Sequence, residues 1–306
     1  MSDVPVAVVG PGAIGGLMAA LLQRAGHDVT VVAREATAAH IAEHGLDVVS
    51  DMFGSWHAPL AASTTVPRGA QVLVAVKADG VAAAADLLRD ADPAEVLALL
   101  NGVEHMGPLR AAAPGARVFG ATIAGQTRRT PVGGPDPATV THSFDLLTIV
   151  VPDAAADLGL TVALRDTGAV LQTGGTEAEV LWKKLRFLAA LSLLTSTWKT
   201  GIADALDRDP ALTAALLDEI AAVATAEGVP STGADLRGQL AAMPPLTVGS
   251  LEADLSAGRP GELDAIGGAI LRAGGRHGID LPVLTKTVDR LAASAARGRR
   301  PATPAG

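Results

Sequence analysis

A glycine-rich turn near the N-terminus constrains the fold of this chain more than any other feature. The segment Gly10-Pro11-Gly12-Ala13-Ile14-Gly15-Gly16 follows an apolar run, Val6–Val9, and opens a helical stretch, Ala13–Ala25. In this G-x-G-x-x-G pattern the first glycine permits a tight turn, the second lets the backbone approach a pyrophosphate, and the third lets the helix pack closely on the sheet. The strand–turn–helix context predicts a dinucleotide site at the helix N-terminus rather than an empty turn. The predicted contact residues are Gly10, Gly12, Ala13, Ile14 and Gly15.

The first half of the chain continues this alternation of strands and helices. Further apolar runs of strand length are Val29–Val32, Val72–Val76 and Val96–Leu100, with helical stretches at Thr37–His44 and Val81–Leu88. Runs that are apolar at nearly every position fit strands buried on both faces, as in a parallel sheet. The sequence therefore predicts an α/β fold that begins with a Rossmann-type, doubly wound domain.

The second half of the chain has a different, helical period. Residues 116–172 are strand-like, and after Gly174 the apolar spacing becomes helical, with Pro, Gly or Asp breaks between stretches. We predict an NADP-binding domain at residues 1–174 and an all-helical substrate and dimerisation domain at residues 175–306, ending in a disordered tail at 297–306. The predicted helices are Glu177–Leu206, Ala211–Glu227, Thr247–Ala257, Glu262–His277 and Pro282–Ala296.

Composition excludes several classes of protein. The chain has 306 residues, a formal net charge of −8, 49% apolar residues and no cysteine. The apolar content suits a packed core, whereas the acidic balance disfavours a nucleic-acid binder. No cysteine means no disulfide and no cysteine-ligated metal. The segment His40–His44 matches H-x-x-E-H, which we interpret as chance, so no metal site is predicted. No membrane span or secretory signal is recognised, and we expect a cytoplasmic protein.

The end of the second predicted strand indicates which dinucleotide is bound. Sites for NAD usually carry an acidic residue there, which bonds the ribose 2′-hydroxyl group. In this chain the strand is followed by Arg34. A guanidinium can pair with a 2′-phosphate, so Arg34 favours NADP. The adjacent Glu35 would weaken that preference, and Arg34 could instead be an ordinary solvated charge.

Six motifs occur in an order that resembles one known family. They are Gly10–Gly15, Val76-Lys77-Ala78, Asn101-Gly102-Val103, Leu181-Trp182-Lys183-Lys184-Leu185, Ser250-Leu251-Glu252-Ala253-Asp254-Leu255 and Glu262-Leu263-Asp264. The glycine motif alone is unspecific. The ordered set, with a helical second half, is similar to the ketopantoate reductases, also called 2-dehydropantoate 2-reductases, over nearly the whole chain.

The resemblance implies an activity and a set of site residues. Members of the family reduce a 2-oxo acid with NADPH in pantothenate biosynthesis. By resemblance, Lys184 is the general acid that protonates the substrate carbonyl oxygen, and Glu262 bonds the substrate and orients that lysine. Ser250 would bind the substrate carboxylate, while Asn101 and Lys77 would lie near the nicotinamide, with Asn101 also contacting the substrate.

Chemistry and helix geometry agree with the role of Lys184. Hydride delivery to a carbonyl carbon leaves a developing alkoxide, which needs a positioned proton donor. Lys184, Leu188, Ser192 and Thr195 share one helix face, whereas Lys183 points elsewhere. The plainer alternatives are that Lys184 is a surface lysine, that Glu262 is a first-turn helix acid, and that Asn101 is a turn former.

The chain departs from the family pattern where the substrate would be recognised. The long helix of the family usually carries asparagines four and eight residues after the lysine, where this chain has Leu188 and Ser192. A third asparagine, five residues after the glutamate, is replaced by Gly267. Leucine cannot replace an amide, and serine can do so in part. The alternatives are therefore a reductase of another carbonyl compound, or a non-catalytic NADP-binding sensor. A homodimer is the weakly favoured assembly.

Overall fold

The computed structural model describes residues 4–133, 136–259 and 261–298. Its contacts divide the chain into two compact units. Unit 1 comprises residues 1–100 and 104–180, and unit 2 comprises residues 101–103 and 181–306. The predicted domain boundary near Gly174 falls between the last strand and the first long helix of the chain. Of the predicted tail at 297–306, all but the first two residues lie outside the described part of the chain.

Unit 1 combines strands and short helices. Its strands are β1 (Val6–Val9), β2 (Val29–Val32), β3 (Leu46–Ser50), β4 (Gly54–Ala58), β5 (Ala61–Ser63), β6 (Gln71–Val74), β7 (Glu95–Ala98), β8 (Arg117–Gly120), β9 (Thr122–Arg129), β10 (Ala138–Val151) and β11 (Val170–Thr173). Its helices are α1 (Ala13–Arg24), α2 (Glu35–His44), α3 (Val81–Ala91), α4 (Met106–Ala112) and α5 (Gly159–Arg165).

Six strands form a parallel sheet in the order β5-β2-β1-β6-β7-β8. Strand β1 pairs with β2 on one side and with β6 on the other, so the order of the strands reverses direction beside β1. Every residue of β1, β6 and β7 is buried, which explains why β1 is apolar throughout and why β6 and β7 are apolar after their first residues, Gln71 and Glu95. The reversal places the end of β1, where the glycine-rich turn begins, at the point where such sheets bind ligands.

A second sheet combines three strands of the strand-like region at residues 116–172, namely β9, β10 and β11, with the earlier strands β3 and β4. It has the order β11-β10-β3-β4, and β9 runs antiparallel to β10. The strands β3, β4 and β5 were not predicted, because they are only three to five residues long and β4 and β5 are largely unburied, and β4 carries polar residues such as His57. The helices α4 and α5, of seven residues each, were not predicted either.

Unit 2 is helical. It contains most of α6 (Glu177–Trp198), followed by α7 (Ile202–Asp207), α8 (Pro210–Ala226), α9 (Gly233–Ala241), α10 (Ser250–Ser256), α11 (Ala269–His277) and α12 (Pro282–Gly298). A π-helical turn, Asp264–Gly268, leads into α11. The core is built from the apolar faces of α6, α8 and α11, with Leu193, Ile220 and Ile270 fully buried. No helix in the described residues is long and apolar enough to cross a membrane.

The α/β fold followed by a helical unit is confirmed, but two predicted helices have different bounds in the structure and one helix was not predicted. The continuous helix predicted to Leu206 is wrong, because α6 ends at Trp198 and Lys199 adopts a left-handed conformation with φ +52°. The next helix starts after Gly201, where a Cβ atom would lie 2.5 Å from the carbonyl oxygen of Pro245. The predicted helix from Thr247 begins only at Ser250, and α9 was missed.

Candidate active site

The glycine-rich turn of unit 1 is shaped by contacts that exclude side chains. Gly10 has φ +90°, and a Cβ atom there would lie 2.6 Å from Cγ1 of Val76. A Cβ atom on Gly15 would overlap the carbonyl oxygen of Gly10, so α1 packs directly on the turn. Nothing lies within 4 Å of a Cβ atom built on Gly12. Two glycines therefore serve close packing, while the third leaves space open beside the turn.

That open space lies at the N-terminus of α1, whose amides have no side-chain cap. Gly12 is the N-cap residue with an extended conformation, and it makes no side-chain cap bond. Ala13 and Ile14 begin the helix and are partly buried. Uncapped helix amides beside open space form a cradle for an anion. A dinucleotide pyrophosphate fits this cradle, because a side chain at Gly12 would project into the space that it needs.

Two cations of unit 1 follow strands of the parallel sheet. Arg34 comes two residues after β2 and is exposed, and its side chain makes no hydrogen bond or ion pair within residues 4–133, 136–259 and 261–298. It is the N-cap residue of α2, directly before Glu35. Lys77 is also exposed and precedes a short 3₁₀ turn, Ala78–Gly80, beyond β6. Both residues stand at the carboxyl edge of the sheet, where β1 also ends.

Unit 2 brings together three of the predicted site residues. The side-chain amide of Asn101 donates a hydrogen bond to Oε2 of Glu262 at 2.9 Å, in a partly buried setting. Gly102 has φ +87°, and a Cβ atom there would lie 2.8 Å from the carbonyl oxygen of Ala265. The segment 101–103 therefore packs against the π-helical turn that follows Glu262. This close approach fixes the amide beside the carboxylate.

Lys184, on α6, interacts electrostatically with the carboxylate of Glu262. Burial lowers the pKa of its ammonium group from 10.5 to about 8, and the carboxylate of Glu262 opposes that shift. The neighbouring Lys183 is exposed, whereas Trp182 and Leu185 are buried in the core of unit 2. A lysine with this pKa is protonated at neutral pH and can still release its proton readily.

The remaining predicted substrate residues occupy different settings. Leu188 is partly buried and packs against the core of unit 2. Ser250 is exposed and is the first residue of α10. Ser192 is fully buried, and its hydroxyl makes no hydrogen bond within the described part of the chain. Gly267 is buried, and a Cβ atom there would lie 2.6 Å from Cγ2 of Val288. The side chain of Val288 thus occupies the space that a side chain at Gly267 would need, and Ser192 has no access to solvent.

One buried contact beside the predicted site residues Ser192 and Ser250 was not anticipated from the sequence. The backbone N–H of Gly249 donates to Oγ1 of Thr195 at 3.1 Å, and both groups are buried. A Cβ atom on Gly249 would lie 2.6 Å from Oγ of Ser192. Glycine is abundant in this chain, so nothing in the sequence distinguished Gly249 from the other glycines. Within the described residues, no group of three or more His, Asp or Glu side chains is placed to hold a metal ion.

Sequence comparison gives the same family for both units. The model of ketopantoate reductase PanE/ApbA matches residues 6–154, and the model of its C-terminal domain matches residues 178–295. The chain is 32% identical to a 2-dehydropantoate 2-reductase of Caulobacter vibrioides over 303 residues, which cover 95% of this chain and 99% of the relative. It is 28% identical to a 2-dehydropantoate 2-reductase of Mycobacterium tuberculosis over 299 residues, or 94% of this chain and 97% of the relative.

Structural comparison agrees with the sequence matches. A crystal structure of a PanE/ApbA family ketopantoate reductase from Ralstonia eutropha JMP134 superposes with a TM-score of 0.84 at 27% identity. The match covers 97% of this chain and all of that protein. The glycine-rich cradle and the cluster of Lys184, Glu262 and Asn101 therefore occur in a chain whose two halves both match one family. The chain belongs to the ketopantoate reductase family, a family of oxidoreductases that use a nicotinamide dinucleotide.

Proposed function

We propose that this protein reduces a small 2-oxo acid to the 2-hydroxy acid with NADPH, and that 2-dehydropantoate is the first candidate substrate. The observation that carries the proposal is the partly buried cluster of Lys184, Glu262 and Asn101. It combines an ammonium group of lowered pKa with a carboxylate that is already held by an amide. Such a combination of a perturbed lysine and a fixed carboxylate is typical of a site that transfers protons.

Each residue of the cluster has a distinct part in carbonyl reduction. A bound nicotinamide in its reduced form supplies the hydride for the carbonyl carbon. The Nζ of Lys184 holds the proton that the carbonyl oxygen needs as negative charge develops on it. The carboxylate of Glu262 keeps the ammonium charged and orients it, since an opposite charge favours the charged form. The amide of Asn101 holds that carboxylate in place, at 2.9 Å.

The rest of the proposed site binds rather than reacts. Gly10, Gly12 and Gly15 would hold the pyrophosphate with the first amides of α1. Arg34 would pair with the 2′-phosphate, a contact supported by its exposed position two residues after β2 and by a side chain that has no other partner in the described residues. Lys77 would lie near the nicotinamide. These assignments predict a preference for NADPH over NADH.

Ser250 and Leu188 concern the substrate. The exposed hydroxyl of Ser250, at the start of α10, would bind the substrate carboxylate. Leu188 lies one turn beyond Lys184 on the same helix face and is partly buried. Because the hydroxyl of Ser192 is buried under Gly249, neither position of α6 presents a polar group to a substrate hydroxyl. This favours a second candidate, a reductase of a 2-oxo acid with an apolar substituent.

Turnover of NADPH on a panel of 2-oxo acids tests the proposal. The panel pairs 2-dehydropantoate with its analogue that lacks only the hydroxyl group, and each is measured with NADPH and with NADH. Preference for 2-dehydropantoate supports the first candidate, and equal or better turnover of the analogue supports the second. Tight binding of NADPH without turnover of any 2-oxo acid would mean that the protein is a sensor rather than a reductase.

A matched pair of variants tests the assignment of the proton donor. Lys184→Ala is expected to lower kcat by about 10²–10⁴-fold, the range for losing a positioned acid, with NADPH binding retained. Lys183→Ala is the control, because that lysine is exposed on another face of α6. An inactive Lys183 variant beside an active Lys184 variant would contradict the assignment. The homodimer and the cytoplasmic location predicted from the sequence remain predictions, and light scattering of the purified protein tests the former.

A further inference from the structure

Residues 242–249 form the irregular segment that leads into Ser250. Hydrogen bonds hold this segment at three points. The N–H of Ile202 donates to the carbonyl oxygen of Thr247 at 2.9 Å, and the N–H of Ala203 donates to that of Pro245 at 3.2 Å. These donors are the first amides of α7, which have no acceptor inside their own helix. The third point is the N–H of Gly249, which donates to α6.

The contact at α6 is made by two hydroxyl-bearing side chains. Oγ1 of Thr195 donates to the carbonyl oxygen of Leu191 at 2.8 Å, so its lone pairs are free to accept from Gly249 at 3.1 Å. Ser192 lies one turn earlier, and a Cβ atom on Gly249 would lie 2.8 Å from its Cα atom. Thr195 and Ser192 are both fully buried. We call this contact the Gly249 seat.

The Gly249 seat requires small residues at positions 249 and 192 because space is short there, and not because the backbone conformation demands glycine. Gly249 has φ −72° and ψ 149°, an extended conformation that any residue can adopt. A side chain at Gly249 is excluded because the segment rests on the backbone of α6 itself. A larger residue at position 192 would push the segment away for the same reason. The serine at 192 is therefore explained by the shape of the seat.

We infer that Thr195 and Ser192 are positioning residues that fix Ser250, the adjacent residue, for binding of the substrate carboxylate. This inference rests on the proposed function, in which Ser250 makes that contact. The hydrogen bond to Thr195 sets the direction of the peptide that enters Ser250, and Ser192 sets how closely that peptide approaches α6. Neither side chain touches the substrate.

Thr195→Val and Thr195→Ser test the hydrogen bond. Valine has the shape of threonine but accepts nothing, so the buried N–H of Gly249 loses its partner. The KM for the 2-oxo acid should rise about tenfold, the equivalent of one lost buried hydrogen bond. The kcat and the Kd for NADPH should be little changed, and Thr195→Ser should restore the KM. Thr213→Val is the matched control, since Thr213 is a fully buried threonine of unit 2 on α8.

Two further variants separate positioning from direct contact. In a Ser250→Ala background, Thr195→Val should add no further rise in KM, because Thr195 acts through Ser250. Ser192→Asn should raise the KM for 2-dehydropantoate, because the longer side chain displaces Gly249. If that variant instead lowers the KM, position 192 faces the substrate and the inference is wrong. Independent, additive effects of the Thr195 and Ser250 variants would also overturn it.

Hydrogen exchange tests the seat without any substrate. The amide of Gly249 should exchange faster in Thr195→Val than in the wild type or in Thr195→Ser. Unchanged exchange would refute the seat even if the protein reduces 2-oxo acids. Faster exchange in a protein that reduces no 2-oxo acid would confirm the seat as a contact, reject its role in carboxylate binding and contradict the proposed function.

Discussion

Replacing Lys184 by methionine should remove activity and stabilise the folded protein at neutral pH. The pKa of this lysine falls from 10.5 to about 8 because its ammonium is buried, an effect that Glu262 only partly offsets. A shift of that size corresponds to about 3 kcal/mol of lost folding free energy when the lysine is charged in both states. Methionine keeps the length of the side chain and carries no charge.

The gain in stability should depend on pH in a defined direction. The folded-state pKa lies below the unfolded one, so the wild type carries the full cost below pH 8. Between pH 8 and 10.5 the folded lysine loses its proton first, and the stability of the wild type rises relative to that of the variant. The advantage of Lys184→Met should therefore be largest near pH 7 and should shrink towards pH 10.5.

Urea unfolding at several pH values measures this dependence. Tryptophan fluorescence is a suitable signal, because the buried Trp182 precedes Lys184 by two residues on α6. The substitution also removes the ammonium that faces the carboxylate of Glu262, and this loss offsets part of the gain in stability. An increase of about 1–3 kcal/mol in the free energy of unfolding is therefore expected near pH 7. The wild-type kcat/KM should fall as pH rises through about 8, since the donor must be protonated. Lower stability of the variant near pH 7, or a difference independent of pH, would refute the reasoning.

Three further predictions concern the cofactor and the substrate. Arg34→Ala should raise the Kd for NADPH by about one to two orders of magnitude and leave that for NADH nearly unchanged; equal weakening of both would mean a structural role. Gly15→Ala should abolish NADPH binding in a titration, because its Cβ atom overlaps the carbonyl oxygen of Gly10, and normal affinity would contradict the tight turn. Leu188→Asn should improve kcat/KM for 2-dehydropantoate relative to 2-oxoisovalerate by about tenfold or more, and an unchanged ratio would show that no amide is needed there.

The sequence predicted best where a local pattern fully determines the structure. The apolar runs of β1 and β6 and the glycine turn between β1 and α1 were read correctly, because burial on both faces and close packing leave a clear pattern. The end of α6 could not be predicted, since Lys199 follows the helix with a left-handed backbone conformation that a lysine rarely adopts. The strands β3 and β4 were missed because their polar and exposed positions weaken the alternation that marks a strand.

The site shows the same division between local and distant determinants. The helix period separated Lys184 from Lys183, and the exposure of Lys183 agrees with that reasoning. The contact of Thr195 with Gly249 joins residues 54 positions apart in the chain. No periodicity in a single sequence records such a pair. For that reason the sequence indicated that Ser192 could replace an amide, whereas its neighbour in the fold leaves the hydroxyl buried.

The short segment Asn101-Gly102-Val103 has a consequence for the construction of hybrid enzymes. It groups with the helical unit by its contacts, although the residues on both sides of it group with unit 1. The polypeptide therefore passes from one unit to the other at three places, not one. A chimera joined once, near residue 180, would take Asn101 from one parent and Glu262 from the other. A functional exchange of helical units between relatives must carry these three residues across as a separate graft.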